Sequence, residues 1–206
     1  MYFSPLTRLM MERRHPRLGA IVTPASHRLL PPGLIWVADN GCYAQGDKFR
    51  LDRYLDWLSR PVAALELCRF ATAPDVIGDW AATWERSRPV LPILRDLGYR
   101  AGLVAQNGIT LDAVPWDAFD VLFVGGDNRF KLAESTFSLV AEANRRGKWT
   151  HMGRVNGEGR LRAAAGGGYD SADGTGLVYA PDKLWPRVMG WLDRLDTHPP
   201  MLLEAV

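Results

Sequence analysis

A chain of 206 residues and 23.0 kDa is long enough for one well-buried domain. Its 47% hydrophobic, 23% charged and 10% aromatic residues exclude a disordered or fibrous protein. The net charge of +2 is too mild to indicate a nucleic-acid partner by itself, and leaves room for a local basic face.

Residues 1–16 show no sustained period and are expected to lie as an arm on the surface. From Arg17 onward, short apolar runs alternate with longer segments of helical period, the pattern of βα units around a parallel sheet. The predicted strands are 18–22, 34–38, 68–73, 101–105, 121–124, 149–152 and a weaker 171–175. Between them, 48–59 places Phe49, Tyr54, Leu55 and Leu58 near one helical face, and 76–97 is helical with a break or restart at Pro89 and Pro92. Segment 132–146 closes at Gly147, 157–165 fills the next interval, and 181–195 opens on a proline in its first turn. Trp57, Trp80, Trp84, Trp185 and Trp191 fall in these helical segments as packing residues. The tail 197–206 is expected to be a second surface arm.

Seven or eight βα units in this length predict a compact α/β fold, a (β/α)8 TIM-type barrel near its lower size limit, as a single domain over 1–206. The competing architecture is a doubly wound open sheet. Neither GxGxxG nor GxxxxGK[ST] follows a strand here, so the phosphate loops that often accompany such sheets are missing. An eighth strand is not visible. Cys42 and Cys68 stand 26 positions apart without a CxxC pair or a Cys/His cluster, so neither a zinc site nor a disulfide framework is expected. No run of about 18 apolar residues occurs, and arginines interrupt the start, so a cytoplasmic protein without a membrane partner is expected.

In a parallel barrel the residues just after the strands converge on one mouth. Asp39, Asp75, Gln106, Gly125, Gly126, Gly153, Arg154 and Asp173 all follow strand ends. Each alone reads equally well as a turn or capping residue. Together they suggest a pocket for a planar ligand: Gln106 offers an acceptor and two donors to a heterocycle edge, and Gly125 and Gly126 permit close approach to the backbone. Two carboxylates facing one pocket suit cleavage of a bond to an anomeric carbon, one as nucleophile and one as acid/base, and Asp39 and Asp173 are that pair. Asp170 is a brace for the same loop. His151 reads as a hydrogen-bonded packing residue, not as a ligand or base. Arg8, Arg13, Arg14, Arg17 and Arg28 form the one basic concentration, a solvated arm in preference to a phosphate contact.

Five stretches carry a family likeness: ADNGCYAQG at 38–46, ATAPDVIGD at 71–79, LVAQNG at 103–108, FVGGD at 123–127 and HMGRVNGEGRLRAAAGGGYDSADGT at 151–175. In this order, from about Leu34 to Trp191, they resemble the queuine tRNA-ribosyltransferase (tRNA-guanine transglycosylase) superfamily. The likeness is greatest to its short bacterial and phage relatives that insert 7-deazaguanines into DNA. The resemblance implies a glycosyltransferase (pentosyltransferase) that exchanges guanine for a 7-deazaguanine such as preQ0 without a cofactor or metal. It implies Asp173 as nucleophile and Asp39 as general acid/base. Tyr43 and Met152 would sandwich the base, Asp75 and Gln106 would read its edge, and Gly125, Gly126 and Gly153 would line the site with backbone. The cysteine-rich zinc subdomain that helps the tRNA enzymes hold tRNA has no counterpart among these residues, so DNA is the expected polymer in preference to tRNA. Taking a base out of a duplex points to a helper helicase or nuclease-like protein, and the tRNA relatives suggest a homodimer. The alternatives are a tRNA-guanine transglycosylase-like enzyme, a hydrolytic glycosylase, and a non-catalytic barrel that binds a deazapurine or nucleic acid.

Overall fold

Apolar runs of three to five residues, buried on both faces, are what a parallel sheet covered by helices requires. In the computed structural model, which describes residues 1–26, 30–60 and 65–197, eight such strands close into a barrel. In chain order the elements are β1 (Tyr2–Pro5), α1 (Arg8–Glu12), β2 (Leu18–Val22), β3 (Trp36–Ala38), α2 (Cys42–Gln45), α3 (Leu51–Ser59) and β4 (Cys68–Thr72). There follow α4 (Trp80–Ser87), α5 (Leu91–Asp96), β5 (Ala101–Ala105), β6 (Val121–Val124), α6 (Asn128–Lys131), α7 (Glu134–Arg145) and β7 (Trp149–Met152). The chain continues through α8 (Glu158–Gly166), β8 (Ser171–Asp173), α9 (Gly176–Tyr179) and α10 (Pro181–Thr197). Each strand pairs in parallel with the next, and β8 returns to β1 through Tyr2 beside Ala172 and Phe3 beside Asp173. The chain is therefore a compact (β/α)8 TIM-type barrel.

The expected N-terminal arm is corrected by this closure. Tyr2–Pro5 is the eighth strand, and Thr7 caps α1 by accepting from the Met10 amide. A four-residue run ending in proline is too short to show a period, yet Tyr2, Phe3 and Ser4 are fully buried because they close the sheet. The predicted helix over 76–97 divides at Pro89, while Pro92 sits in the first turn of α5, where its missing N–H costs nothing. Residues 198–206 of the expected tail, and Arg28, lie outside the described residues.

Side chains alternate between two cores. Phe3, Val37, Phe70, Val104, Val121 and Phe123 fill the barrel interior, while Ala38, Ala71, Ala105, Val124, Met152 and Ala172 face the helices. Trp57, Trp80, Trp84, Trp185 and Trp191 pack in the outer core, as expected. Just after β8, Gly174 lies where a Cβ would run into the Tyr2 hydroxyl and the Val155 carbonyl, with Asn156 Oδ1 at 2.7 Å. Gly174→Ala is expected to lower stability by about 1–3 kcal/mol in urea denaturation, because these partners are fixed backbone and a buried phenol.

Candidate active site

The barrel's inward register continues past the strand ends. Val37, Val104, Phe123, His151 and Ser171 point inward, so the residues two positions on, Asp39, Gln106, Gly125, Gly153 and Asp173, occupy the rim at the carboxyl ends of the strands. The structure brings Asp39 within reach of the charges of both Asp173 and Asp75. Burial, reinforced by the charges of Asp173 and Asp75, pushes the Asp39 carboxyl up to about 7 against the opposing Gly41 N–H bond. The 2.8 Å bond from that N–H engages Asp39 Oδ1.

Asp75 and Gln106 form a buried polar network. Gln106 Nε2 donates to Asp75 Oδ2 at 2.6 Å, and Asn40 Nδ2 donates to Asp75 Oδ1 at 3.1 Å and to the Ala73 carbonyl at 2.8 Å. Gln106 Oε1 accepts both the Gly78 and Gly126 amides at 2.9 Å. Burial raises the Asp75 carboxyl against these hydrogen bonds. Gln106 therefore spends most of its hydrogen-bonding capacity on the protein and orients Asp75. Gln106→Ala would leave the buried Gly126 amide, the part-buried Gly78 amide and one carboxyl oxygen of Asp75 without their partner. It is expected to cost about 2–4 kcal/mol in chemical denaturation.

At the other side of the mouth, Asp173 is held by a backbone N–H and an imidazole nitrogen. His151 Nε2 lies 2.9 Å from its Oδ2, and the Arg154 amide donates to its Oδ1 at 3.2 Å. His151 Nδ1 lies 2.8 Å from Ser171 Oγ, which in turn accepts from Trp149 Nε1 at 2.8 Å. Serine, histidine and aspartate are thus in line, but not as in a serine hydrolase: Ser171 is buried inside the barrel and the aspartate is at the mouth.

Arg154 is a non-glycine residue in the left-handed region, at φ 59°. Such a conformation persists where the surroundings over-determine it. Here the Gly153 amide donates to Val124 and the Gly153 carbonyl accepts from buried Lys131 at 2.9 Å. The Arg154 carbonyl accepts from Arg160 at 3.1 Å. Burial and the nearby Arg154 and Arg160 lower the Lys131 ammonium to about 8. The Arg154 guanidinium crosses the mouth to the Gly126 carbonyl, 2.6 Å away, and lies 4.7 Å over the exposed ring of Tyr43.

The predicted residues Asp39, Tyr43, Asp75, Gln106, Gly125, Gly126, Gly153 and Asp173 all belong to this mouth. Three expectations change. Met152 is fully buried on the helix side of β7, one register position away from His151, and offers no surface for stacking. The Gly125 and Gly126 amides are committed to Ala105 and Gln106, so neither is available to a purine carbonyl. Gln106 orients the edge reader instead of being one with free hands. Asp170 is a brace at the far end of β8, accepting from the Thr150 amide at 2.8 Å. Grooves of about 460 Å³, beside Arg14, His15 and Pro32, and about 330 Å³, beside Arg100, Lys148 and Asp170, lie at the amino ends of the strands, away from the carboxyls. Arg14 and Arg17 stand at that end too, leading into β2, which removes them from the mouth.

His151, Asn40 and Lys131 are the participants to which motif reasoning gave no role in the site, whereas Arg154 was placed at the mouth by its position after β7. No protein-family model matches the chain, and no curated protein matches it either.

Proposed function

We propose that the protein exchanges guanine for a 7-deazaguanine, such as preQ0, in DNA through an Asp173-linked glycosyl intermediate. The observation that carries this reading is the pair of carboxyls at one barrel mouth in unlike settings: Asp39 raised to about 7, and Asp173 held by the Arg154 N–H and by His151 Nε2. Unlike settings divide acid/base and nucleophile roles between two carboxyls.

Asp173 Oδ forms a bond to C1′ as the bond from C1′ to the purine nitrogen breaks, and the Asp39 proton goes to the departing guanine. The incoming deazaguanine then gives its ring N–H proton to Asp39 and bonds to C1′, and the Asp173 ester bond breaks. The purine takes the face of Tyr43 that Arg154 now covers, and its N–H groups meet the unused lone pairs of Asp75, whose orientation Asn40 and Gln106 fix. A duplex target calls for a helper that exposes the base, and a cytoplasmic site suits such a substrate.

Duplex DNA, single-stranded DNA and tRNA carrying radiolabelled guanine test the reading, each with and without preQ0. Release from DNA beyond one equivalent per protein that depends on preQ0, with deazaguanine in the recovered nucleosides, is expected. Multiple-turnover release without preQ0, leaving abasic sites, would make the protein a hydrolytic glycosylase, and release confined to tRNA would overturn the choice of polymer.

A further inference from the structure

We infer that His151 is a positioning residue for Asp173, holding its Oδ2 from inside the barrel with an Nε2–H that Ser171 and Trp149 fix in place. The inference rests on Asp173 being the nucleophile, as proposed above.

The direction of the hydrogen bonds carries it. Trp149 Nε1–H is a donor only, so Ser171 Oγ accepts there, 2.8 Å away. The serine hydrogen then has two acceptors in reach: His151 Nδ1 at 2.8 Å and the Thr150 carbonyl at 3.5 Å. The shorter contact assigns it to Nδ1. With Nδ1 accepting, the ring hydrogen sits on Nε2, 2.9 Å from Asp173 Oδ2. Every donor in the row Trp149, Ser171, His151 thus points toward the carboxyl at the mouth.

The ring cannot turn away. His151 is fully buried, and the Phe123, Phe70 and Phe3 rings surround it with centroids 4.5, 5.2 and 6.1 Å away. A histidine kept only to fill space among three phenylalanines would be out of place beside them, since its two polar nitrogens would carry a desolvation cost with no return. Both nitrogens instead end on named partners, and one partner is the proposed nucleophile. The other groups facing Asp173 are the Arg154 amide from the loop after β7, Asp39 beyond β3, the Tyr2 hydroxyl on β1 and Lys131 at the end of α6. None of these changes when the ring is replaced, so a change in Asp173 behaviour isolates the His151 contact.

The test compares wild type with His151→Gln, His151→Leu and Ser171→Ala. Two quantities are followed: the His151 tautomer, by nitrogen NMR of histidine-labelled protein, and kcat and KM for base exchange. Wild type is expected to carry the ring hydrogen on Nε2. In His151→Leu the value of kcat should fall about 10–100-fold while KM for the entering base stays within about threefold, because Asp75 and Tyr43 are untouched. His151→Gln, whose amide N–H can reach the same oxygen, is expected to restore most of kcat. Ser171→Ala, which leaves the tautomer unfixed, should lower kcat by less, and serves alone if the leucine variant does not fold. A ring hydrogen on Nδ1 in wild type, or a glutamine variant that behaves as leucine does, overturns the inference. Failure of the functional reading looks different: no exchange by wild type, with the ring hydrogen still on Nε2.

Discussion

Asp173→Asn is expected to lower base exchange by at least about 10³-fold and to abolish the covalent protein–DNA adduct, with the fold intact. An amide oxygen is too poor a nucleophile to displace guanine from C1′, whereas the steric outline at the barrel mouth is unchanged. Asn Oδ1 still accepts from the Arg154 amide. Its Nδ2 can donate to His151 Nε2 once the imidazole hydrogen moves to Nδ1 and points at Ser171, whose own hydrogen then turns to the Thr150 carbonyl. The buried row therefore has a second satisfied arrangement, and the substitution should cost no more than about 1–2 kcal/mol in stability. Incubation of wild type with DNA in the absence of an entering base, followed by a denaturing gel, should show a slowly migrating ester-linked complex and an equivalent of released guanine. The asparagine variant should show neither. An adduct of undiminished yield in that variant would place the nucleophile elsewhere on the mouth, and folded, inactive protein with wild-type guanine binding would confirm that only the attack was lost.

The barrel is legible in the sequence because its strands are apolar on both faces and its helices on one. The runs at 18–22, 101–105, 121–124 and 149–152 coincide with strands residue for residue. β1 escaped for a physical reason: YFSP is four residues long, ends in proline, and earns its burial from β2 and β8, which meet it only when the barrel closes. The mouth is legible for a related reason. Topology collects residues after strand ends whatever their separation, so Asp39, Asp75, Gln106 and Asp173 could be gathered before any coordinates. What position along the chain does not give is which polar groups use each other up. Gln106 has the donors and acceptors to read a base, yet both amide hydrogens of Gly78 and Gly126 close on it. Met152 and His151 are the instructive pair, because simple alternation along β7 puts one inside and its neighbour outside. With Asp173 and Ser171 inward on β8, Met152 had to face the helices and His151 the interior. Treating His151 as ordinary packing overlooked that its inward neighbours across β8 are Ser171 and, one turn of the pleat further, Asp173.

Asp39→Asn is expected to abolish proton transfer to the leaving purine, lowering exchange about 10²–10⁴-fold, and at the same time to make the protein more stable at pH 8. The sign follows from the Asp39 carboxyl, raised by burial and by its acidic neighbours to about 7 in the fold, against about 3.9 in an unfolded chain. Between those values the folded state holds a proton that the unfolded state has released, so stability from this group falls as pH rises through the window and the full penalty applies above it. Three units would amount to about 4 kcal/mol; since Asp39 keeps part of its surface in water, about 2–4 kcal/mol is expected. Asparagine carries no charge to desolvate and its oxygen still accepts from the Gly41 amide. It also removes one of the three crowded carboxyls. Urea denaturation of both proteins at pH 4 and pH 8 separates the causes: near-equal stability at pH 4 and a gain for the variant at pH 8. An equal gain at both values would assign it to packing, and no gain at either would mean that Asp39 ionises freely and is no acid at neutral pH. In wild type the same proton should make exchange decline above about pH 7, on the limb where Asp39 gives it up. The burial that keeps an aspartate protonated where the reaction needs an acid is thus the burial that weakens the fold at that pH, the exchange of stability for activity expected where a side chain serves chemistry.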